Sequence, residues 1–400
     1  MKKSMLFLFV FIGFNSFSQW INQPSGTTED LYSVHFPTAT TGYAVGNNGA
    51  ILKTTNGGTL WISQNSGTNA PFSSVFFTNE STGYVVGVAG FIMKTSNGGA
   101  TWSFQSTSFS DFLYSVHFPT NNTGYTVGFD YTASVTKIYK TTNGGTTWSP
   151  LIPGTANELY AVYFTNATTG YAVGAYGTIR KTTNGGATWI GQVSGTTEYL
   201  FSVYFPTATT GYIVGGYNGL ILKTTNGGAT WNTQVSGTGQ SLSSVCFTDE
   251  NTGYAVGYSG TILKTTDGGT TWNSQFSGTT KSLYSVCFPD ANNGCAVGIT
   301  GTILTTTNGG GPVGINENQL PTALKIYPNP AHENITIEFP EPVSKIIGSI
   351  SIYGMAGQKM IQHQVNGSRA AINVSSLPDG LYFIRLSNSE GTRFGKFVKN

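Results

Sequence analysis

Short apolar runs alternate with polar turns along most of this chain, and the alternation repeats. One unit reads Leu-Tyr-Ser-Val-x-Phe, then Thr-Gly-Tyr-Ala-Val-Gly, then Gly-x-Ile-Leu-Lys-Thr, then Asn-Gly-Gly-x-x-Trp-x-x-Gln-x-Ser-Gly. Each run is β-branched or aromatic and bounded by Gly, Asn, Thr or Pro, as strands are. Val34 and its counterparts Val75, Val116, Val162, Val203, Val245 and Val286 stand 41, 41, 46, 41, 42 and 41 residues apart. A period near ~40 residues with four strands per unit predicts the blades of a β-propeller. The turn between the third and fourth runs is specific. Asn56, Asn97, Asn143, Asn184, Asn226, Asp267 and Asn308 each precede Gly-Gly. There the side-chain oxygen can bond its own following backbone, and glycine takes positive φ without a Cβ clash.

The tryptophans predict how the ring closes. Trp61, Trp102, Trp148, Trp189, Trp231 and Trp272 each follow one of these turns, and the seventh turn, at Asn308, has no Trp after it. The missing one stands at the other end. Trp20 opens Trp-Ile-Asn-Gln-Pro-Ser-Gly much as Trp189 opens Trp-Ile-Gly-Gln-Val-Ser-Gly. The first residues supply what the last repeat lacks. An open solenoid would need distinct polar caps, so we expect an all-β, seven-bladed propeller over 19–311, closed by its N-terminal strand.

Thr54-x-Asn56-x-Gly58-x-x-Trp61 resembles the Asp-box (BNR) motif of sialidase-like and related propellers. The longer unit, with Gly42-Tyr43-Ala44-Val45-Gly46, resembles photosystem II stability/assembly factor-like propellers. This likeness spans 20–310. It implies a fold, and a fold hosts many activities.

The two ends predict export. Lys2-Lys3, the apolar stretch Met5–Phe14 and the exit Ser16-Phe17-Ser18 read as a secretory signal peptide over 1–18. That apolar stretch is too short to span a bilayer, and no later run is long enough. A linker, 312–323, precedes a small β domain, 324–400, whose alternating Ile335, Ile337, Phe339 and Ile350, Ile352 predict a sandwich. This segment resembles the type A C-terminal sorting domain of the type IX secretion system. The resemblance rests on Ile326-Tyr327-Pro328-Asn329-Pro330, Ile350–Gly357, Leu377–Ile384 and Lys396–Lys399, with Gly354 where the family often has Asp. It implies the type IX machinery as partner and the outer-membrane surface of a Gram-negative bacterium, or the medium, as destination.

Charge narrows the partners. Charged residues are 9% of the chain, against roughly a quarter in ordinary domains. Without Lys2 and Lys3 the 19 basic residues fall to 17, matching 17 acidic ones. A neutral chain with no basic stripe is a poor fit to nucleic acid or an anionic membrane. Cys246, Cys287 and Cys295 suit an exported protein with few staples. Cys287 and Cys295 are placed to face each other across a hairpin, and buried small hydrophobes are an equal reading. No cofactor or metal site is expected, and a monomer is.

The repeats differ on one face only. Turns between strands one and two, and three and four, are monotonous. The opposite rim varies: its inter-blade turns place Glu29, Ala70, Asp111, Asn157, Glu198, Gln240 and Lys281 at one equivalent position. The third repeat adds five residues there, within Phe129–Lys137. Variation confined to one rim suggests the face fitted to a partner. Tyr131, Tyr176, Tyr217 and Tyr258, with Phe129 and Tyr199, offer flat amphipathic surfaces for sugar or peptide, and Glu29, Asp111 and Glu198 offer polar contacts. The alternative is that each Tyr covers its own blade.

Catalysis finds little support. Sialidases of the Asp-box fold clamp a carboxylate with three arginines, and this propeller has Arg180 alone. Glycosidases need two carboxylates at a fixed separation, and the rim acids are scattered. His35 and His117 share an inner-strand place with Phe76, Tyr163, Tyr204, Cys246 and Cys287, which predicts packing. Lys53, Lys94, Lys140, Lys181, Lys223 and Lys264 are expected at solvated edges. We therefore expect a non-catalytic binding propeller for glycan or protein. An Asp-box glycoside hydrolase and a structural surface component are the alternatives.

Overall fold

The computed structural model describes residues 20–105, 107, 109–311, 324–338, 346–354, 358–388 and 391–400. The expected leader (1–18) and linker (312–323) lie outside the described residues. Two compact units divide between Val313 and Gly314.

In the first unit the repeat folds as its alternation predicts. Strands β1 (Ile21–Gln23), β2 (Leu31–His35), β3 (Gly42–Gly46), β4 (Ile51–Thr54) and β5 (Ile62–Gln64) open the chain. β2 to β5 form one antiparallel sheet, innermost strand first, and we call it blade one. Six further four-stranded sheets of the same kind follow among the described residues. The last, blade seven, orders its strands Leu283–Cys287, Gly294–Gly298, Ile303–Thr306 and then β1. Ile21 pairs with Thr305, Asn22 with Leu304 and Gln23 with Ile303. Each innermost strand packs on the next around the ring, and that of blade seven packs on β2. The chain's first strand is therefore the outermost strand of its last blade.

Each innermost strand is a sheet edge, whose unpaired N–H groups need partners. Serines supply them. Val75 N–H donates to Ser33 Oγ of the preceding blade at 3.2 Å, and Val34 N–H donates to Ser285 Oγ at 3.2 Å, closing the circle. Ser74, Ser115, Ser202 and Ser244 accept the equivalent bonds from the N–H groups of Val116, Val162, Val245 and Val286. Ala161 breaks the series in blade four.

The Asn-Gly-Gly turn is held from within. Thr54 Oγ1 donates to Asn56 Oδ1 and accepts the Gly58 N–H, while Leu60 N–H donates to Asn56 Oδ1. The blades then clasp it from outside. Both Tyr43 Oη and Lys53 Nζ donate to the Gly98 carbonyl of the next blade, at 2.8 and 2.6 Å. The ammonium sits 5.6 Å over the Tyr43 ring, and that ring stacks on Phe77 at 3.8 Å. The same clasp recurs at Gly144, Gly185, Gly227, Gly268 and Gly309. This corrects the expectation of solvated lysines. The glycine carbonyl of a tight turn has no ladder partner, so the lysine is drawn in to bond it.

One interface lacks the clasp. Between blades seven and one the two positions hold Cys295 and Thr305, register partners of one another. Here Trp61 Nε1 donates to the carbonyl of Gly58, the glycine after the one clasped elsewhere, at 2.9 Å. Cys287 and Cys295 are also register partners. All three thiols are free. Burial pushes the Cys287 thiol up to about 11 and those of Cys246 and Cys295 well up, so none carries a reactive thiolate near neutral pH.

The second unit pairs a three-stranded sheet (Lys325–Tyr327, Asn334–Glu338, Arg369–Asn373) with a four-stranded one (Lys359–Gly367, Ile346–Tyr353, Gly380–Asn388, Gly391–Lys399). Ile335, Ile337, Ile350, Ile352, Ile384 and Phe397 share its core. No helix among the described residues is long and apolar enough to cross a membrane.

Candidate functional site

The axial channel is lined by the innermost strands. At one level His35, Phe76, His117, Tyr163 and Tyr204 follow each other with ring centroids 4.8, 5.0, 4.8 and 5.2 Å apart. Cys246 and Cys287 complete the turn. Burial lowers His35 to about 4 and His117 to about 3. These imidazoles are neutral packing groups. Among the described residues no three His, Cys, Asp or Glu gather as metal ligands.

The mouth of the channel, on the variable rim, is where side chains converge. In every blade a β-bulge falls near the start of the innermost strand, as at Leu31/Ser33. The residue skipped by the ladder is Tyr32, Ser73, Tyr114, Tyr160, Phe201, Ser243 or Tyr284. Bulges re-aim side chains, and these five aromatics are half-buried at the mouth instead of filling the space between sheets. Tyr114 and Tyr160 lie 5.4 Å apart edge to face, Tyr160 and Tyr199 6.1 Å, and Tyr176 and Tyr199 5.5 Å. The Tyr114 and Tyr131 hydroxyls are 2.5 Å apart. Burial raises Tyr114 and Tyr160 above the usual phenol range. Tyr199 is raised chiefly by its hydrogen bond to Tyr176. On the other side of the mouth Tyr32 and Tyr284 lie 5.3 Å apart.

Two of the rim turns' glycines fix where the variable side chains stand. A Cβ on Gly46 would fall on the Asp30 carbonyl, and one on Gly49 on the Thr68 carbonyl. The turn is therefore wedged between the inter-blade loops on both sides. Backbone bonds lock it: Asn47 N–H donates to Asp30 O, and further round Gly177 N–H donates to Glu198 O and Gly301 N–H to Glu29 O.

The sequence-predicted residues divide accordingly. Tyr176 and Tyr217 are 63% and 69% exposed, and Tyr131 and Tyr258 are exposed too. Tyr131, Tyr176 and Tyr199 join the Tyr114–Tyr160 arc, with Tyr217 close enough to act on Tyr199. Tyr258 acts on Tyr284 of the opposite arc. Glu29 and Glu198 are half-buried, and Glu198 accepts the Tyr217 N–H at 3.3 Å. Two expectations need correction. Asp111 is 3% exposed and accepts the Tyr139 hydroxyl. Phe129 is buried beneath Tyr131, centroids 4.9 Å apart. The long third-blade hairpin folds back on itself, so both residues pack it and neither meets solvent.

Two other rim acids accept backbone N–H groups of turns. Asp30 accepts the Thr300 N–H at 2.7 Å, and Asp130 accepts those of Thr132 and Ala133 at 3.0 Å. Arg180 packs by Gly154 and Gly191.

Residues 13–159, 148–236, 192–273 and 233–311 match the family described as photosynthesis system II assembly factor YCF48. Residues 325–400 match the secretion system C-terminal sorting domain. Similar solved structures include YCF48 bound to D1 peptide, at 19% identity and TM-score 0.62, covering 73% of this chain and 98% of that one. A GH74 xyloglucanase from Xanthomonas campestris is 12% identical at TM-score 0.59, over 87% of this chain and 60% of that one. PorZ, a surface component of the type IX secretion system of Porphyromonas gingivalis, is 12% identical at TM-score 0.55, over 93% and 59%. These structural likenesses speak to fold alone. No curated protein matches the sequence.

Proposed function

Because the chain belongs to the photosynthesis system II assembly factor YCF48 family and ends in a type IX sorting tail, which indicates secretion or surface localisation, we propose that it is an exported, non-catalytic binding propeller. Its ligand, a glycan or a protein, is held on the variable rim at the channel mouth. The aromatic convergence there carries this reading: half-buried Tyr114, Tyr160 and Phe201 form a floor, and exposed Tyr131, Tyr176 and Tyr217 stand around it. Tyrosine offers large contact area at low entropic cost. A glycoside hydrolase reading draws on the GH74 neighbours. It is disfavoured because Asp111, Asp130, Asp30 and Glu198 each pin a loop. A photosystem role is foreign to an exported chain. We infer the domain limits to be a leader over 1–18, propeller 19–311, linker 312–323 and tail 324–400, in a monomer.

Two experiments test this. A glycan array and a panel of immobilised cell-surface proteins probed with the full chain should show a bound class. Exchanging Tyr176, Tyr217 and Tyr258 together for alanine should weaken that binding by about a hundredfold, at roughly 1 kcal/mol or so per aromatic contact. Turnover of a polysaccharide that is abolished in Glu198→Gln would instead establish the hydrolase. Separately, deleting 324–400 should retain the propeller in the periplasm on fractionation. Undiminished export would refute the tail's role as address.

A further inference from the structure

The mouth is aromatic, and it is also flanked by carboxylates. Glu158 lies in the loop just before Leu159 and Tyr160, and its charge acts on Tyr160, Tyr114 and Tyr199. One anion thus sits among three phenol rings that touch in series. The opposite arc repeats the arrangement: Asp30 and Glu29 act on Tyr32, and Asp30 also acts on Tyr284. Among the described residues, no ion pair involves Glu158, Glu29 or Asp30.

An aromatic ring presents a negative face, and a cation held over it gains most where water is partly excluded. A neighbouring carboxylate adds a full opposite charge. The same surroundings repel phosphate, sulfate and uronic acids. Two such arcs around one mouth suit a chain bearing several cations, since engaging the second arc is then intramolecular. Resting on the rim reading above, we propose that the channel mouth recognises the ammonium or guanidinium groups of a basic peptide. Glu158 with Tyr114, Tyr160 and Tyr199 holds one cationic group, and Asp30 with Tyr32 and Tyr284 holds another.

The test is fluorescence polarisation of a labelled oligolysine peptide with the full chain. The control is the same peptide with every lysine acetylated, which keeps length and backbone but removes the charge. Oligolysine should bind, and the acetylated peptide should bind at least about tenfold more weakly. Glu158→Gln and Tyr160→Ala should each weaken oligolysine about tenfold, while Tyr160→Phe, which keeps the ring, should hold it nearly as well. Thermal unfolding of each variant separates lost contact from lost fold. Equal binding of both peptides, no binding of oligolysine, or an unaltered Glu158→Gln variant overturns the assignment. A neutral oligosaccharide that binds and depends on Tyr176 would then leave the rim reading standing. A ligand indifferent to every rim substitution would sink that reading as well.

Discussion

Trp20→Ala should destabilise the propeller by about 3–5 kcal/mol, the range for emptying a buried aromatic site. The indole is 1% exposed. It meets Tyr254 of blade six and Phe288 of blade seven edge to face, at 6.4 and 5.7 Å. Against a typical total of roughly 5–15 kcal/mol, this is a large share for one residue so near the chain's start. Its neighbour gives the contrast. Ile21 pairs with Thr305 but is 58% exposed, so Ile21→Ala should stay within about 0.5 kcal/mol. Urea unfolding followed by tryptophan fluorescence and circular dichroism measures both. Removing the chain up to Pro24 goes further, because it strips β1 from Ile303–Thr306 and leaves an unpaired edge there. Such edges recruit strands from other molecules, so size-exclusion chromatography should show dimers and larger species. An unchanged urea midpoint for Trp20→Ala would overturn the closure by β1.

The second large effect is acid sensitivity from the channel histidines. An imidazole lowered from 6.5 to about 3, as His117 is by burial, stays neutral in the fold and takes a proton only on unfolding. Stability is then full above pH 6.5 and declines as pH falls towards the folded value. By pH 4 the loss at His117 amounts to roughly 2–3 kcal/mol, with some discount for contact with the channel. His35, lowered to about 4, adds to it over the same window. Phe76 holds the equivalent place in blade two, and Nδ1 of His117 has no hydrogen-bond partner. His117→Phe should therefore fold normally. Its advantage over the parent should be small at pH 7.5 and grow by roughly 2–3 kcal/mol at pH 4. Parallel urea titrations at the two pH values check this. An advantage that does not change with pH would show that the buried imidazole is not the group that titrates.

The fold was legible because the repeat is exact enough to be aligned against itself. Trp20 completes a pattern that Asn308 leaves unfinished, and pairing of Ile21 with Thr305 follows from it. The floor of the mouth was hidden by the same regularity. In Leu-Tyr-Ser-Val, strict alternation puts Tyr32 on the face of Val34, between sheets. The bulge at Leu31/Ser33 breaks that alternation, and nothing in a period-two pattern announces a bulge. One signal was available. Leu31 and Val34 scarcely vary between repeats, while the residue after Leu31 changes among Tyr, Phe and Ser. Asp111 and the lysine series misled for a shared reason. Charged side chains were read as solvated, whereas here Tyr139 and the turn carbonyls supply buried partners. Tertiary hydrogen bonds of that kind have no local signature.

The carbonyls that leave no space beside Gly46 and Gly49 have a consequence for how such a molecule can be altered. They anchor the two residues in between, so Asn47 can be exchanged for other side chains while the main chain keeps its path, whereas Asn48, at φ 53°, stands in the left-handed region that bulky and β-branched residues resist. Val88, Tyr258 and Ile299 hold the same free position, while Ala89, Tyr176, Ser259 and Thr300 share the left-handed one and Ala175 is buried. A randomised library written at Asn47, Val88, Tyr258 and Ile299 would sample new specificities on an unchanged frame.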